Sequence, residues 1–360
     1  MPVTALDQRH LTFALAMQRV IVPDPNATAC WSPFSVASAL GLTASGARGA
    51  TRAELVELLG TDSARLLGPA AHLDDEVTFG VTNTLWAREN IAIRPEFAEE
   101  LHAEWPGGAI RDAPFATDPD GARRSINADV ADTTHGLIPR LLGPGDITAS
   151  TVAALVNALY LKTAWRNAFP DRDTGPRAFH DAGDVPTMRL SKRVGYAAAH
   201  GWQAVFLPAR GGVDGVALLP DAPLAEAEPA LTAPLLADLL DARTLRQVEL
   251  YLPTFRVRAR ADLTRPLAHL GVRTVFSDDA DLTGITDEPI QVSKVLHEAV
   301  LTIDEQGLEG AAATAVVMRM MAMTRADQPI VVRVDRPFLF LVRHAETGAV
   351  YFLARVVRPG

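Results

Sequence analysis

Hydrophobic positions in the first third of the chain recur at helical spacing. Residues 11–20 show this period, which predicts a helix. A second helix is predicted to begin at Pro33, with Ser32 as its N-cap, and to continue to Ala44. A third is predicted over residues 51–59, where Thr51 and Glu54 have the spacing of a capping box and Gly60 ends the helix.

The period then changes and becomes mixed. Residues 77–87 alternate and contain β-branched side chains, which predicts a strand, whereas residues 95–104 and 125–133 return to helical spacing. Residues 143–145 predict a loop. Residues 151–162 form a long apolar run whose length fits either a helix or a buried strand, and the periodicity alone does not distinguish the two.

The second half of the chain has mostly the pattern of β-structure. One predicted helix, at residues 263–270, interrupts strands that are predicted over residues 204–207, 213–219, 248–257, 290–303, 330–334, 338–343 and 350–357. Helices followed by strands, without strict alternation, indicate an α+β fold with large antiparallel or mixed sheets. No linker-like segment divides the sequence, so we expect a single domain over residues 1–360.

Composition excludes several classes of protein. The 360 residues are 48% hydrophobic and 21% charged, which predicts a folded chain with a sizeable core. A net charge of −9 argues against a nucleic-acid partner, and the lack of a long apolar run argues against a membrane span. The N-terminus lacks the pattern of a signal peptide, so we expect a cytoplasmic protein, with export by another route left open. Cys30, the single cysteine, excludes an internal disulfide and is expected to be a buried packing thiol.

The sequence lacks the motifs of the common enzyme and cofactor sites. It contains no G-x-G-x-x-G, no Walker-type phosphate loop, no G-x-S-x-G elbow, no H-E-x-x-H and no C-x-x-C. We therefore expect no catalytic residues, no metal site and no cofactor.

One segment fits no ordinary element of a globular domain. Residues 305–327 are small and Ala-rich at first and then contain four of the seven methionines, Met318, Met320, Met321 and Met323. A helix over residues 308–323 is one interpretation. The other is an exposed loop that can become a strand, with Leu308, Gly310, Ala312, Thr314 and Val316 on one face.

Several ordered motifs resemble those of the serpins, a family of serine protease inhibitors, here of the prokaryotic type. The resemblance extends from about residue 8 to the C-terminus. Its motifs include W-S-P-F-S at residues 31–35, T-H-G-L-I at 134–138, V-N-A-L-Y-L-K at 156–162 with Trp165 and Phe169, S-K-V-L-H-E-A at 293–299 and D-R-P-F-L-F at 335–340.

The resemblance implies eight or nine helices, three β-sheets and an exposed reactive-centre loop, with the hinge and loop at residues 305–327. In this family a serine or cysteine protease cleaves the loop, which then inserts into the central sheet while the protease is still covalently attached. The hinge positions that match are Glu305, Gly307, Leu308, Gly310, Ala311, Ala312 and Ala313. The polar cluster beneath the parting strands, known as the shutter, and the entry point above it correspond to Ser32, Ser35, Asn157, His297 and Trp165.

In the family's inhibitory members, the hinge glutamate and the residue before the cleaved bond are the first and last of seventeen positions. Counting from Glu305 selects Met321–Ala322, with Met320, Arg319 and Arg325 as alternatives. A methionine suits elastase-like, chymotrypsin-like or subtilisin-like proteases, whereas an arginine would suit a trypsin-like one. We expect a monomer whose partner is its target protease; the alternative is a non-inhibitory serpin that binds other molecules or is only a protease substrate.

Overall fold

The computed structural model describes residues 5–61, 63–74, 76–105, 108–308 and 328–359. Nine α-helices lie within these ranges: α1 Ala5–Ile21, α2 Pro33–Gly46, α3 Gly49–Leu59, α4 Ser63–Ala70, α5 Pro95–Glu104, α6 Pro119–Thr133, α7 Leu224–Ala230, α8 Ala233–Asp241 and α9 Thr264–His269. The strands are β1 Ala29–Trp31, β2 Thr78–Arg88, β3 Gly108–Ala113, β4 Ala153–Ala164, β5 Gly175–Phe179, β6 Gly183–Ala199, β7 Trp202–Pro208, β8 Val213–Pro220, β9 Thr244–Pro253, β10 Phe255–Asp262, β11 Val292–Ile303, β12 Gly307–Leu308, β13 Ile330–Arg333, β14 Phe338–His344 and β15 Val350–Val356.

The strands form two hydrogen-bonded sheets. A six-stranded sheet has the order β10-β11-β12-β4-β2-β3, and a nine-stranded sheet has the order β1-β15-β14-β8-β7-β6-β9-β13, with β5 attached to β6. The long strand β6 pairs with β9 through Thr187–Tyr196 and with β7 through Gly195–Ala199. It therefore joins two of the three expected sheets into one continuous nine-stranded sheet. The predicted α+β architecture, with nine helices in the described residues, is confirmed.

Helix α2 lies at the centre of the molecule. The Ser32 hydroxyl caps it by accepting a hydrogen bond from the Ser35 amide at 3.1 Å, and Pro33 occupies the first turn, as predicted. A side chain at Gly41 would collide with the Trp105 ring, because a Cβ there would lie 2.1 Å from it. Nearly every residue of the helix is buried, so its sequence has little amphipathic pattern.

Strand β4 resolves the ambiguous run at residues 151–162. It is a strand in the interior of the six-stranded sheet, buried along nearly its whole length. Both of its faces are covered, so its sequence is continuously apolar rather than alternating.

Three predictions about the elements were wrong. The third helix starts at Gly49 rather than after Thr51, and no side chain caps it. The Thr51 hydroxyl instead accepts the Asp281 amide, and the Glu54 carboxylate accepts the amides of Arg273 and Thr274. Residues 248–257 are not one strand, since β9 ends at Pro253 and β10 begins at Phe255, and α7 and α8 also interrupt the β-rich half.

Candidate functional site

A seam in the six-stranded sheet is the central feature of the site. Strands β4 and β11 are parallel neighbours from Val292↔Ala153 to Glu298↔Ala158. Further along, the two-residue strand β12 lies between them, with Leu308 opposite both Ile303 of β11 and Thr163 of β4. Four residues of each long strand, 159–162 and 299–302, separate the direct pairing from β12. The seam between β4 and β11 is therefore already occupied by another strand at one end.

The turn that leads from β11 into β12 is held by Asp304. Its carboxylate accepts the amides of Gln306 at 2.9 Å and of Gly307 at 3.0 Å, and its own amide donates to the Gly307 carbonyl at 3.1 Å. Trp165 braces the same turn, because its indole nitrogen donates to the Asp304 carbonyl at 2.9 Å and its amide donates to the Gln306 carbonyl at 2.9 Å. Trp165 thus lies against the hinge.

The hinge residues in the described part are tightly placed. The Glu305 carbonyl accepts the Phe169 amide at 2.9 Å. A Cβ at Gly307 would lie 2.1 Å from the Thr163 carbonyl oxygen, so only glycine fits there without a shift of the backbone. Leu308 is completely buried, with 0% of its surface exposed. The other predicted hinge and bond residues, Gly310, Ala311, Ala312, Ala313, Met321 and Ala322, lie outside the described residues.

A row of polar side chains crosses the same sheet below the hinge. Asn83 of β2, Asn157 of β4 and His297 of β11 stand directly opposite one another in the strand register. The His297 Nδ1 lies 2.7 Å from the Asn157 Oδ1, and the amides of Asn83 and Asn157 are in hydrogen-bonding contact.

The N-terminus of α2 completes this polar cluster. The Ser32 amide donates to the His297 Nε2 at 3.0 Å, and the Asn157 side chain donates to the Ser35 carbonyl at 2.7 Å. Because Nε2 accepts, the ring proton is on Nδ1 and donates to Asn157. The structure therefore brings Ser32, Ser35, Asn157 and His297 together, as expected, while Trp165 lies apart from them at the hinge.

Burial controls the charge of His297. The side chain is 1% exposed, and desolvation lowers its pKa to about 3, although the hydrogen bond to Asn157 partly opposes this shift. The imidazole is therefore neutral at pH 7, and both ring nitrogens are used in hydrogen bonds, Nδ1 across the seam to Asn157 and Nε2 to the N-terminus of α2.

Two residues of the site were missed by the sequence reasoning. Asn83 is an asparagine in the middle of a strand-like run, V-T-N-T-L, and asparagine is rare in strands, so its presence there was an available signal. Asp304 directly follows β11, four residues before Leu308, and only the turn geometry reveals that its carboxylate binds two amides.

Cys30 and the histidine His10 are buried groups outside the site. Burial raises the pKa of the Cys30 thiol far above its usual value, so it is an unreactive packing group, as predicted. His10 accepts the Val350 amide at 3.0 Å, and burial lowers its pKa to about 4. Among the helices that the structure describes, none is both long and apolar enough to cross a membrane.

Comparison with known proteins gives consistent results. The sequence profile described as "Serpin (serine protease inhibitor)" matches residues 8–359. Iripin-2 of Ixodes ricinus is 31% identical over 98% of this chain and 93% of its own length. The leukocyte elastase inhibitor of Bos taurus is 32% identical over 91% of this chain and 92% of its own length.

Solved structures show the same fold. Uncleaved ovalbumin superposes with a TM-score of 0.86 at 25% identity, over 99% of this chain and all of the ovalbumin chain. Serpin48, described as a highly specific serpin of the insect Tenebrio molitor, superposes with a TM-score of 0.86 at 25% identity, over 99% of this chain and 98% of its own. These relatives are animal proteins, and the expected prokaryotic type stays a prediction.

Proposed function

The chain belongs to the serpin family, whose members are protease inhibitors and not enzymes. On this premise we propose that it traps serine proteases as a suicide substrate. The observation that carries the proposal is strand β12. Gly307 and Leu308 already pair with β4 and β11 at the seam, so the stem of the loop begins as a strand of the sheet into which it would insert.

The chemistry begins at the proposed bond, Met321–Ala322. The protease serine attacks the Met321 carbonyl carbon, the peptide bond breaks, and Ala322 leaves with a new amino terminus. An ester between the serine oxygen and Met321 remains. The stem from Leu308 to Met321 contains fourteen residues and would extend about 43 Å as a strand. Insertion of this stem would carry the attached protease a similar distance.

The lengths and directions of the strands at the seam support this insertion. Strands β4 and β11 each have 12 residues, and their present pairing is parallel over only part of that length. A strand that continued from β12 would be antiparallel to both, and it would replace one parallel ladder with two antiparallel ladders, which have the better hydrogen-bond geometry. The small residues Gly310, Ala311, Ala312 and Ala313 would enter without steric conflict.

The proposed specificity follows from the flexible, apolar methionines around the bond. Elastase-like, chymotrypsin-like or subtilisin-like proteases have pockets that take such a side chain. The similarity to the leukocyte elastase inhibitor of Bos taurus supports the inhibitory role. Uncleaved ovalbumin and thyroxine-binding globulin have the same fold, so a binding role without inhibition is the second candidate.

The test is incubation with one protease of each of these classes and a trypsin-like protease. We expect an SDS-stable complex with at least one protease of apolar specificity, and a released C-terminal peptide that begins at Ala322. The melting temperature of the loop-cleaved protein should rise strongly above that of the intact protein. Cleavage by every protease without a complex, together with an unchanged melting temperature, would establish the non-inhibitory alternative.

A further inference from the structure

One face of the nine-stranded sheet exposes apolar side chains. Within the part of the chain that the structure describes, the large hydrophobic side chains that stand out into solvent are Leu245 of β9, 61% exposed, and Val331 of β13, 43% exposed. The two strands are neighbours in the sheet. Leu245 and Glu249 are four positions apart on β9, so their side chains point to the same face of the sheet. Val331 lies directly opposite Glu249, so Val331 and Leu245 are on that face together.

Arginines surround a tyrosine on this face. The guanidinium of Arg177 lies 4.3 Å from the centre of the Tyr251 ring, and that of Arg333 lies 5.6 Å from it. The Tyr251 hydroxyl donates to Glu249 at 2.5 Å, and Arg189 pairs with the same carboxylate at 2.9 Å. These two partners hold the pKa of Glu249 below its usual value, so its charge is matched by Arg189.

The face is basic although the chain is acidic. Arg177, Arg189, Arg193 and Arg333 accompany the carboxylates of Glu249 and Asp173, whereas the whole chain carries a net charge of −9. Arg177 and Arg333 are exposed and form no ion pair among the described residues. Arginine and tyrosine are enriched among the residues that contribute most to protein–protein binding.

The face is also within reach of whatever binds the loop. Strand β13 is an edge strand, and it starts at Ile330, just after the loop segment ends at residue 327. Val331 lies ten positions after Met321, which is at most about 36 Å of extended chain. This distance is similar to the diameter of a small domain, about 30 Å. A protease held at the proposed bond would therefore be able to touch this face.

We propose that the face formed by Arg177, Arg189, Tyr251, Val331 and Arg333 is a second docking surface for the target protease, and that it selects proteases with an acidic surface beside the active-site cleft. The inference rests on the proposed function, because it takes the occupant to be a protease bound at the loop. Charges on this face raise the rate of encounter and lie outside the seam, so they leave the later insertion unchanged.

The test separates docking from trapping by using inactive proteases in which the active-site serine is replaced with alanine. Binding to the intact protein is measured by surface plasmon resonance for acidic and basic members of the apolar-specificity classes. Arg177→Glu/Arg333→Glu should lower the association rate constant at least tenfold for acidic proteases and should flatten its salt dependence. The matched control Arg52→Glu/Arg65→Glu changes the charge equally at exposed positions on α3 and α4 and should stay within twofold of the unmodified protein.

Equal binding of the Arg177→Glu/Arg333→Glu variant and the unmodified protein to all these proteases would overturn the docking surface. So would a concentration-dependent dimer that this variant abolishes, because the face would then bind a second copy of the chain. Active proteases test the proposed function separately. If the proteases dock but form no SDS-stable complex, covalent trapping is refuted and the docking surface stands. If complexes form normally and the arginine substitutions have no effect, the docking surface is refuted and covalent trapping stands.

Discussion

The imidazole of His297 and the side-chain amide of Asn157 are joined by a 2.7 Å hydrogen bond that crosses the seam between β11 and β4. Adjacent strands lie about 4.8 Å apart, and a strand inserted between them would increase that separation to about 9.6 Å. The hydrogen bond can therefore exist only while this part of the seam is closed.

This geometry predicts that loss of the hydrogen bond destabilises the intact protein more than the loop-cleaved protein. His297→Gln and Asn157→Ala should each lower the free energy of unfolding of the intact protein by about 1–3 kcal/mol, because each leaves buried polar groups without their hydrogen-bond partners. The first removes the imidazole that binds Asn157 and the Ser32 amide, and the second removes the amide that binds His297 and the Ser35 carbonyl. The melting temperature of the loop-cleaved protein should change much less. Equal losses in the two forms, measured by calorimetry, would contradict the proposed role of the bond.

The depressed pKa of His297 predicts loss of stability in acid. The folded pKa is about 3, whereas an unfolded histidine titrates near 6.5, so protonation favours the unfolded or opened chain. The stabilising contribution is fully present above pH 6.5 and is lost as the pH falls from 6.5 towards 3. The slope is at most about 1.4 kcal/mol per pH unit for each such histidine.

His10, with a folded pKa of about 4, contributes to the slope in the same direction over pH 6.5 to 4. Urea unfolding monitored by tryptophan fluorescence between pH 7 and 4.5 measures the effect. His297→Gln should remove the part of the slope that is due to His297 and leave the parts due to His10 and to His344, whose pKa is also lowered by burial. An unchanged slope in that variant would show that His297 does not titrate as described.

Gly307→Val tests whether the hinge must fit against β4. Any Cβ at this position meets the Thr163 carbonyl oxygen at 2.1 Å and the Ala164 Cα at 2.8 Å, and neither atom can move independently of the strand. We expect the hinge to leave the seam and the fraction of cleaved, uncomplexed protein to rise severalfold on SDS gels. Gly175→Val is the control, since a Cβ there meets nothing within 4 Å; an equal effect of both variants would refute the explanation.

Leu308→Glu tests the apolar position that follows. The side chain is buried, and a carboxylate there would have to be desolvated without a partner each time the hinge pairs with β4 and β11. We expect the variant to behave largely as a protease substrate, with a stoichiometry of inhibition several times that of the unmodified protein. Leu308→Met keeps the volume and polarity and should inhibit normally.

Met321→Arg tests the proposed bond. If Met321 occupies the specificity pocket, an arginine there should transfer inhibition from proteases of apolar specificity to trypsin-like ones, with rate constants changed by at least a hundredfold. Met320→Arg is the neighbouring control, and mass spectrometry of the released peptide identifies the bond. Cleavage after Met320, Arg319 or Arg325 in the unmodified protein would move the site accordingly.

Sequence alone predicted most of the fold, and its failures have physical causes. Strand β4 could not be distinguished from a helix, because a strand covered on both faces loses its alternation. Thr51 and Glu54 matched a local capping box, yet their oxygens bind amides at Asp281, Arg273 and Thr274, more than 200 positions along the chain. Such long-range partners are not visible in a short window of sequence.

The candidate site shows the same limit. Four members of the polar cluster were found through family motifs, but Asn83 joins it only because β2 pairs with β4 in register Asn83↔Asn157. The role of Asp304 depends on a turn that reverses the chain into β12. The position of β12 between β11 and β4 is likewise a property of strand order and could not be inferred from composition.

The placement of Leu308 has a kinetic consequence. Forming a new strand pairing ordinarily begins with a slow nucleation step, in which the entropy of closing a loop is lost before any contact compensates for it. Here the first register of the new strand exists before cleavage, since Leu308 is already opposite Thr163 and Ile303. Insertion would start as propagation from a formed nucleus, and the time available to the protease for deacylation would be set by growth of the strand rather than by its initiation.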